Sequence, residues 1–304
     1  MNRYEHLQVM QIMIKFLYSH TEKKERITMI YPEKLFTDPA ADVLVRPYND
    51  TIIMESHGSK LFLRLHIPAF DDMESTCPVV LMLHGYPGNE RNFDIAQSLR
   101  MAGMAVVQFS YRGVWGAHGY YSFTHIIEDT LAVADCIIER AAEYRIDPER
   151  LYLFGHSVGG FAAVNSMAKG LPAAGAVLMS PCDMAFKYLY RPEECNNLME
   201  SQTKGYFNIP HDTYIVDNLA ANADEWLFVN AADHLKIDIP YAFIGGTRDG
   251  LTPADGHIFP LMEKMKERGA NISYVELDDG HDYPATRMQL TRQIVSFLAE
   301  MDQK

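Results

Sequence analysis

The residue best placed to do chemistry in this sequence is Ser157, which stands between two glycines in the segment Gly155–Gly159 (G-H-S-V-G). The apolar run Leu151–Phe154 before this segment predicts a buried strand, and the small residues of Gly160–Ala168 after it predict a helix. A serine on a sharp turn between a strand and a helix exposes its hydroxyl as a nucleophile. The pattern therefore predicts that Ser157 attacks a carbonyl carbon covalently.

A serine nucleophile needs a histidine to take its proton and a carboxylate to orient that histidine. Asp249 follows the predicted strand Ile239–Ile244, and His281 follows the predicted strand Ile272–Leu277. Because ligands bind at the carboxyl ends of parallel strands, we expect both side chains to lie beside the serine. Asp255 is the rival carboxylate, but it falls in the helix that follows. We expect a catalytic triad in the chain order serine, aspartate, histidine.

Two backbone N–H groups near the serine are candidates for an oxyanion hole. A glycine-rich loop follows the short apolar strand Val79–Leu83 and places Tyr86 two residues after His84. We expect the N–H of Tyr86 and the N–H of Val158, at the start of the predicted helix, to bind the developing negative charge. His84 is expected to orient this loop rather than to transfer protons.

Strands that could position these residues alternate with helices from Val79 to the C-terminus. The predicted strands in this region are Val79–Leu83, Met104–Ser110, Leu151–Phe154, Ala174–Met179, Ile239–Ile244 and Ile272–Leu277. Alternation of this kind predicts an α/β fold in which a mostly parallel central sheet is covered by helices on both faces.

One long stretch interrupts the alternation. About 60 residues separate the strand that ends at Met179 from the strand that begins at Ile239, and they contain no strand-like run. We expect residues 181–238 to form a helical cap inserted over the strand ends, within one domain that comprises residues 1–304. Aromatic residues in and near the cap predict an apolar pocket for an acyl or aryl group, unless they form only the small core of the cap. The candidate pocket residues are His84, Trp115, Phe186, Tyr206 and Trp226.

The N-terminal segment carries an apolar stripe at helical spacing. Leu7, Met10, Ile14 and Leu17 fall on one face of a helix predicted for residues 1–20. We expect this helix to dock on the body of the protein, and the alternative is that it forms a contact in a homodimer.

Composition excludes several classes of partner. The chain has 40 Asp and Glu residues against 27 Lys and Arg residues, which gives a net charge of −13. Such a charge disfavours binding to nucleic acid or to an anionic membrane. The four cysteines show no C-x-x-C spacing and no secretory signal is recognisable, so we expect reduced thiols and a cytoplasmic location. No nucleotide-binding or metal-binding motif occurs, and we expect neither a cofactor nor a metal.

Taken together, these residues resemble the α/β-hydrolase superfamily. The G-H-S-V-G segment, the His84-Gly85-Tyr86 loop and the turns around Asp249 and His281 are similar to the landmarks of that superfamily and follow its order. Two further segments, Tyr111-Arg112-Gly113 and Gly245-Gly246-Thr247-Arg248-Asp249, are similar to motifs of bacterial serine hydrolases related to the prolyl-oligopeptidase catalytic domain and the feruloyl-type esterases. The resemblance implies an α/β-hydrolase fold, a Ser-Asp-His triad and no cofactor.

Three functions are compatible with this resemblance. The first is a carboxylesterase that works through an acyl-enzyme on a small-molecule ester. The second is a small peptidase or amidase with the same triad, for which a fixed carboxylate near the site would bind a substrate amine. The third is a hydrolase scaffold kept for binding without catalysis. Because the triad and the oxyanion loop are both present in the sequence, we favour catalysis, and we favour the ester over the amide.

Overall fold

The computed structural model describes residues 30–203 and 205–303, and the predicted N-terminal helix lies outside them. The strands are β1 (Tyr48–Ser56), β2 (Ser59–Ile67), β3 (Cys77–Leu83), β4 (Ala105–Phe109), β5 (Ile146–His156), β6 (Gly175–Met179), β7 (Pro240–Gly246) and β8 (Asn271–Leu277). They form an eight-stranded sheet in the order β1-β2-β4-β3-β5-β6-β7-β8. Only the β1–β2 and β2–β4 pairs are antiparallel within it. The mostly parallel sheet confirms the predicted fold class.

Helices connect the parallel strands. They are α1 (Phe93–Met101), α2 (Phe123–Glu139), α3 (Val158–Ala168), α4 (Met184–Tyr190), α5 (Pro192–Thr203), α6 (Tyr214–Trp226), α7 (Phe228–Ala231), α8 (Ala254–His257), α9 (Phe259–Glu267) and α10 (Arg287–Asp302). No helix in the described part of the chain is long and apolar enough to cross a membrane.

Both faces of the sheet are buried, and β3 shows why its sequence is continuously apolar. Leu81 and Leu83 pack in the core that lies under α2 and α3. Val80 and Met82 pack in a second core, under α1 and α10. Successive residues of a strand point to opposite faces, so a strand between two helical layers needs apolar side chains at every position.

The turn between β5 and α3 depends on small residues. A Cβ on Gly159 would collide with the carbonyl oxygen of Leu83, at the end of β3. A Cβ on Gly155 would lie 2.6 Å from the carbonyl oxygen of Gly159. Because helix and strand pass this closely, a side chain at either glycine would force the turn open and displace the serine between them.

The insertion between β6 and β7 is helical, as predicted, but half of it packs on the main body. The amide of Asn218 in α6 donates to Thr124 Oγ1 in α2 at 2.8 Å. The rings of Trp226 and Phe228 lie 5.6 and 6.5 Å from the ring of Phe161 in α3, centroid to centroid. Among the described residues of the insertion, those of α4 and α5 line the cleft at the carboxyl ends of the strands.

Candidate active site

Ser157 lies in a left-handed backbone conformation between β5 and α3. Its φ is +57° and its ψ is −122°, a strained combination for a residue with a side chain. Three backbone hydrogen bonds hold it there. Its N–H donates to the carbonyl of Met179, and its carbonyl accepts from the N–H groups of Gly160 and Cys182. The sequence prediction of a serine on a sharp strand-to-helix turn therefore matches the geometry.

Asp249 and His281 are brought into contact by the turns that follow β7 and β8. His281 Nδ1 and Asp249 Oδ2 are 2.9 Å apart. The second oxygen, Oδ1, accepts the N–H groups of Leu251 and Thr252, each at 2.9 Å, and Oδ2 also accepts the Thr252 hydroxyl at 2.7 Å. Each oxygen of the Asp249 carboxylate therefore has two hydrogen-bond partners, which fix the orientation of the group.

The charge state of Asp249 follows from these donors. Burial by itself would raise the pKa of this carboxyl. The hydrogen bond and the charge of His281, together with the backbone N–H of Thr252, outweigh burial and hold the pKa well below its usual range. An ionised carboxylate can only accept, so Nδ1 of His281 carries the proton and Nε2 is left as the basic nitrogen.

Thr252 was not recognised from the sequence, although its position carried a signal. An aspartate whose side chain accepts N–H groups two and three residues later is a common turn motif. In Asp249 this motif places the Thr252 hydroxyl between the carboxylate and the imidazole, 3.2 Å from His281 Nδ1. The same hydroxyl is 3.2 Å from the carbonyl of Ser180 at the end of β6.

The loop after β3 lies against Ser157. A Cβ on Gly85 would stand 3.0 Å from Ser157 Cβ, which shows how closely the two backbones approach. Tyr86 is the next residue of this loop, and Val158 begins α3 directly after the serine. Both residues line the same cleft as the Ser157 side chain. Tyr86 and Val158 therefore border the serine, and the role of their N–H groups as oxyanion donors stays a prediction.

Ser157 opens into a cleft of about 790 Å³ between the strand ends and the helices α4 and α5. Its wall is formed by Gly85, Tyr86, Pro87, Gly88, Asn89, Glu90, His156, Ser157, Val158, Cys182, Lys187, Glu194, Asn197, Leu198, Glu200, Gly250, Leu251, Thr252, His281 and Asp282. The cap side of this wall is polar and charged. Lys187 is nearly buried, and its ammonium group pairs with Glu194 at 3.2 Å.

The predicted pocket residues were wrong, because none of the five lines this cleft. Trp226 is 2% exposed and packs in the main core. Phe186 packs edge-on against His257, with ring centroids 5.3 Å apart. Trp115 and Tyr206 pack against each other outside the cleft, and the Trp115 indole donates to the carbonyl of Pro87.

His84, the fifth candidate, is buried beneath the loop. Its Nδ1 lies 2.8 Å from the carbonyl of Gly85, and its ring packs on Tyr111 with centroids 4.4 Å apart. Burial, with the nearby charge of Arg91, lowers the pKa of His84 to about 3. A neutral imidazole bonded to the loop backbone agrees with an orienting role.

Cys182 is a second potential nucleophile in the cleft wall. Burial raises the pKa of its thiol to about 12, despite the opposing charge of Lys187. A thiol acts as a nucleophile only as the thiolate. At neutral pH Cys182 is therefore protonated and does not compete with the serine.

One group of neighbouring side chains among the described residues consists of residue types that bind metal ions. Ligand atoms of His156, His281 and Asp282 all lie within 4.8 Å of one another. However, His156 Nε2 is hydrogen-bonded to the carbonyl of His281, and His281 Nδ1 is bonded to Asp249. We therefore assign these side chains to contacts within the protein.

Comparison with known proteins gives the family. A sequence model described as the alpha/beta hydrolase family matches residues 80–293. The lysophosphatidylserine lipase ABHD12 of Danio rerio is 32% identical over 115 residues, which cover 36% of this chain and 29% of the relative. The chain spans about a third of the length of the curated relatives that it matches.

Solved structures share the fold at low sequence identity. A puromycin hydrolase superposes with a TM-score of 0.66 and 18% identity, covering 84% of this chain and 39% of the other. A brefeldin A esterase, described as a bacterial homologue of human hormone-sensitive lipase, gives 0.64 and 18%, covering 88% and 80%. With the family match over most of its length, the chain belongs to the alpha/beta hydrolase family.

Proposed function

We propose that this protein is a serine hydrolase that cleaves carboxylic esters through an acyl-enzyme. The observation that carries the proposal is the 2.9 Å hydrogen bond that joins Asp249 to His281, which lines the cleft that also contains Ser157. An ionised aspartate bonded to Nδ1 leaves Nε2 of the histidine to act as a base. This hydrogen bond and the ionised carboxylate support the proposal, because they orient and polarise the base that acyl transfer by serine requires.

In the proposed reaction, Ser157 Oγ attacks the ester carbonyl while His281 Nε2 takes the hydroxyl proton. The negative oxygen that forms is bound by the N–H groups of Tyr86 and Val158. His281 then gives its proton to the departing alcohol, which leaves an acyl group on Ser157. A water molecule, deprotonated by the same histidine, then attacks the acyl carbonyl carbon. The bond to Ser157 Oγ breaks, the carboxylic acid leaves, and His281 returns the proton to the serine oxygen.

The cleft lining favours short or polar acyl groups. On the cap side it presents one apolar residue, Leu198, among four polar or charged ones, which are Lys187, Glu194, Asn197 and Glu200. Of these four only the lysine is largely buried. A long alkyl chain would have to displace water from these polar groups without replacing their hydrogen bonds, which costs free energy. We therefore expect acetyl esters to be better substrates than octanoyl esters.

A peptidase or amidase is the second candidate, and one observation favours it. Glu194 and Glu200 face the same cleft as the serine, so a substrate ammonium group could be bound there. Glu194 already pairs with Lys187, whereas Glu200 is exposed and has no ion-pair partner among the described residues. The fold is compatible with both an esterase and an amidase, because a puromycin hydrolase and a brefeldin A esterase share it.

A substrate panel tests the proposal. The purified enzyme is assayed with acetyl, butyryl and octanoyl p-nitrophenyl esters and with aminoacyl p-nitroanilides. We expect kcat/KM to be highest for the acetyl ester and the Ser157→Ala variant to be inactive on all substrates. Higher kcat/KM for the anilides would favour the peptidase, and Glu200→Gln should then reduce it, while Glu193→Gln, outside the cleft wall, should not.

A further inference from the structure

The side chain of His156 connects the strand of the proposed nucleophile to the loop of the proposed base. His156 is the last residue of β5 and directly precedes Ser157. Its Nε2 lies 3.0 Å from the carbonyl oxygen of His281. The two imidazole rings also pack together, with centroids 5.0 Å apart and planes inclined by 37°. The ring is 2% exposed, so its position is fixed by the surrounding structure.

The protonation of His156 follows from this contact. A carbonyl oxygen only accepts, so Nε2 must carry the proton and donate it, and Nδ1 is left with a lone pair. That Nδ1 is buried and has no hydrogen-bond partner among the described residues. A buried polar atom without a partner destabilises a protein, and a leucine at this position would avoid that cost. A leucine could not donate a hydrogen bond to the His281 carbonyl, whereas the N–H at Nε2 of His156 does.

His156 also stays neutral next to the base. Burial and the charge of His281, with a smaller effect of Arg287, lower the pKa of His156 to about 3. The hydrogen bond to the His281 carbonyl and the charge of Asp249 act in the opposite direction but are outweighed. The exposed Asp282 stands 3.8 Å from Nε2. A neutral donor holds the loop without repelling the positive charge that His281 acquires in each catalytic step.

The other anchors of this loop lie on either side of His281. Asp279 accepts the N–H groups of Ala285 and Thr286 with Oδ2, and its own carbonyl accepts the N–H of Arg248. The imidazole of His281 is held by Asp249 and Thr252, which fix the ring but not the peptide that carries it. Among the described residues, His156 is the side chain that holds the His281 carbonyl.

We propose that His156 is a positioning residue that keeps His281 in register with Ser157 by holding the His281 main chain. The proposal rests on the proposed function, since it requires His281 to be the base. A displacement of a reacting group by about 1 Å lowers the rate on the order of 10²-fold. Loss of the His156 donor is expected to lower kcat within this range and to leave KM close to the wild-type value.

The critical test compares two amide substitutions at position 156, Gln and Asn, whose side chains differ only in length. Gln can place an N–H near the position of the histidine Nε2, whereas Asn is too short to do so. We expect His156→Gln to keep kcat within about threefold of wild type and His156→Asn to lose about tenfold or more. In His156→Leu, kcat should fall as much as in His156→Asn. Its melting temperature should not fall, because the unpaired buried nitrogen is gone. Tyr241→Phe, which removes a buried hydrogen bond to the Lys236 carbonyl far from the cleft, is the control for stability alone.

Proton NMR adds a readout that a purely structural role would not move. The Nδ1 proton of His281, shared with Asp249, should give a far-downfield resonance that persists in His156→Gln and broadens or shifts in His156→Asn. Equal kcat and equal resonances in the Gln and Asn variants would overturn the proposal, whether or not the Leu variant folds. An active Ser157→Ala variant would instead overturn the proposed function, so the two failures are distinguishable.

Discussion

Asp249 and His281 are separated by 32 positions in the chain, yet Oδ2 and Nδ1 of their side chains meet at 2.9 Å. The contact forms because β7 and β8 are parallel neighbours, so the turns after them emerge at the same edge of the sheet. Thr252 braces both side chains with a single hydroxyl. These contacts hold the Asp249 carboxylate where it accepts a hydrogen bond from Nδ1 of His281.

Asp249→Asn tests whether this carboxylate orients the base. An amide in its place can donate to Nδ1, which would move the proton to Nε2 and remove the base. We expect kcat to fall on the order of 10⁴-fold with little change in melting temperature. The control is Asp255→Asn, which changes the exposed acid of α8 and should leave kcat unchanged. A reversal of these two phenotypes would show that Asp255 is the acid.

The sequence was sufficient to select the candidate site residues, because their positions after strand ends can be recognised in it. A short apolar run followed by a glycine-rich turn identifies the end of a buried parallel strand, and such ends converge in space. Ser157, Asp249 and His281 could therefore be selected by their positions after such runs. The contact of the His156 ring with the His281 loop could not be predicted in this way, because it depends on neighbouring backbones that no local pattern encodes.

The substrate pocket could not be predicted in the same way. An aromatic residue in a sequence indicates burial, but it does not indicate the partner against which the ring packs. Trp226 and Phe228 pack against Phe161 in the main core. The insertion therefore contributes half of its length to the body. Its cleft-facing wall is made of residues such as Lys187 and Glu200, which look like solvated surface in the sequence.

Trp226→Ala separates a core role from a role in the pocket. Truncation of a buried tryptophan costs about 3–5 kcal/mol of stability, so the melting temperature should fall strongly. The ratio of kcat/KM for acetyl and octanoyl esters should stay unchanged, because Trp226 does not line the cleft. Leu198→Ala, in the cleft wall, is the matched comparison and should change that ratio. A changed ratio in the Trp226 variant would contradict the placement.

Gly159→Ala tests the close approach between α3 and β3. The new methyl group would collide with the carbonyl oxygen of Leu83, which belongs to the backbone and cannot turn away. We expect a loss of about 3 kcal/mol or more in the free energy of unfolding, measured by urea titration. Gly250→Ala is the control, since a Cβ there has no atom within 4 Å. Equal stabilities of the two variants would mean that the turn is wider than described.

Stability should decrease as the pH is lowered from about 6.5. Burial is the largest cause of the pKa values of about 3 of His84, His156 and His257. An unfolded histidine titrates near pH 6.5, so between these values the unfolded chain binds more protons and is favoured. Each such proton changes the free energy of unfolding on the order of 1.4 kcal/mol per pH unit.

Two buried acids oppose this trend. Burial raises the pKa of Asp183 to about 7, although the N–H groups of Phe186 and Phe228 act against it, so its contribution to stability is lost as the pH rises from about 4 to 7. Burial also lowers the pKa of His66 and raises the pKa of Asp129, so four histidines oppose two aspartates and the net slope should keep the sign set by the histidines. Urea titrations at pH 5, 6 and 7 measure the slope. His257→Gln should flatten it, the exposed His118→Gln should not, and a wild-type stability that is flat over this range would contradict the assignment.

The central claim is that Ser157, activated by His281 and Asp249, becomes covalently acylated. The most direct measurement is to treat the protein with a fluorophosphonate, which reacts with activated serines, and to identify the modified residue by mass spectrometry. The account predicts one adduct, on Ser157, formed far more slowly in Asp249→Asn and absent from Ser157→Ala. An adduct on another residue, or labelling of the Ser157→Ala variant at the wild-type rate, would contradict it.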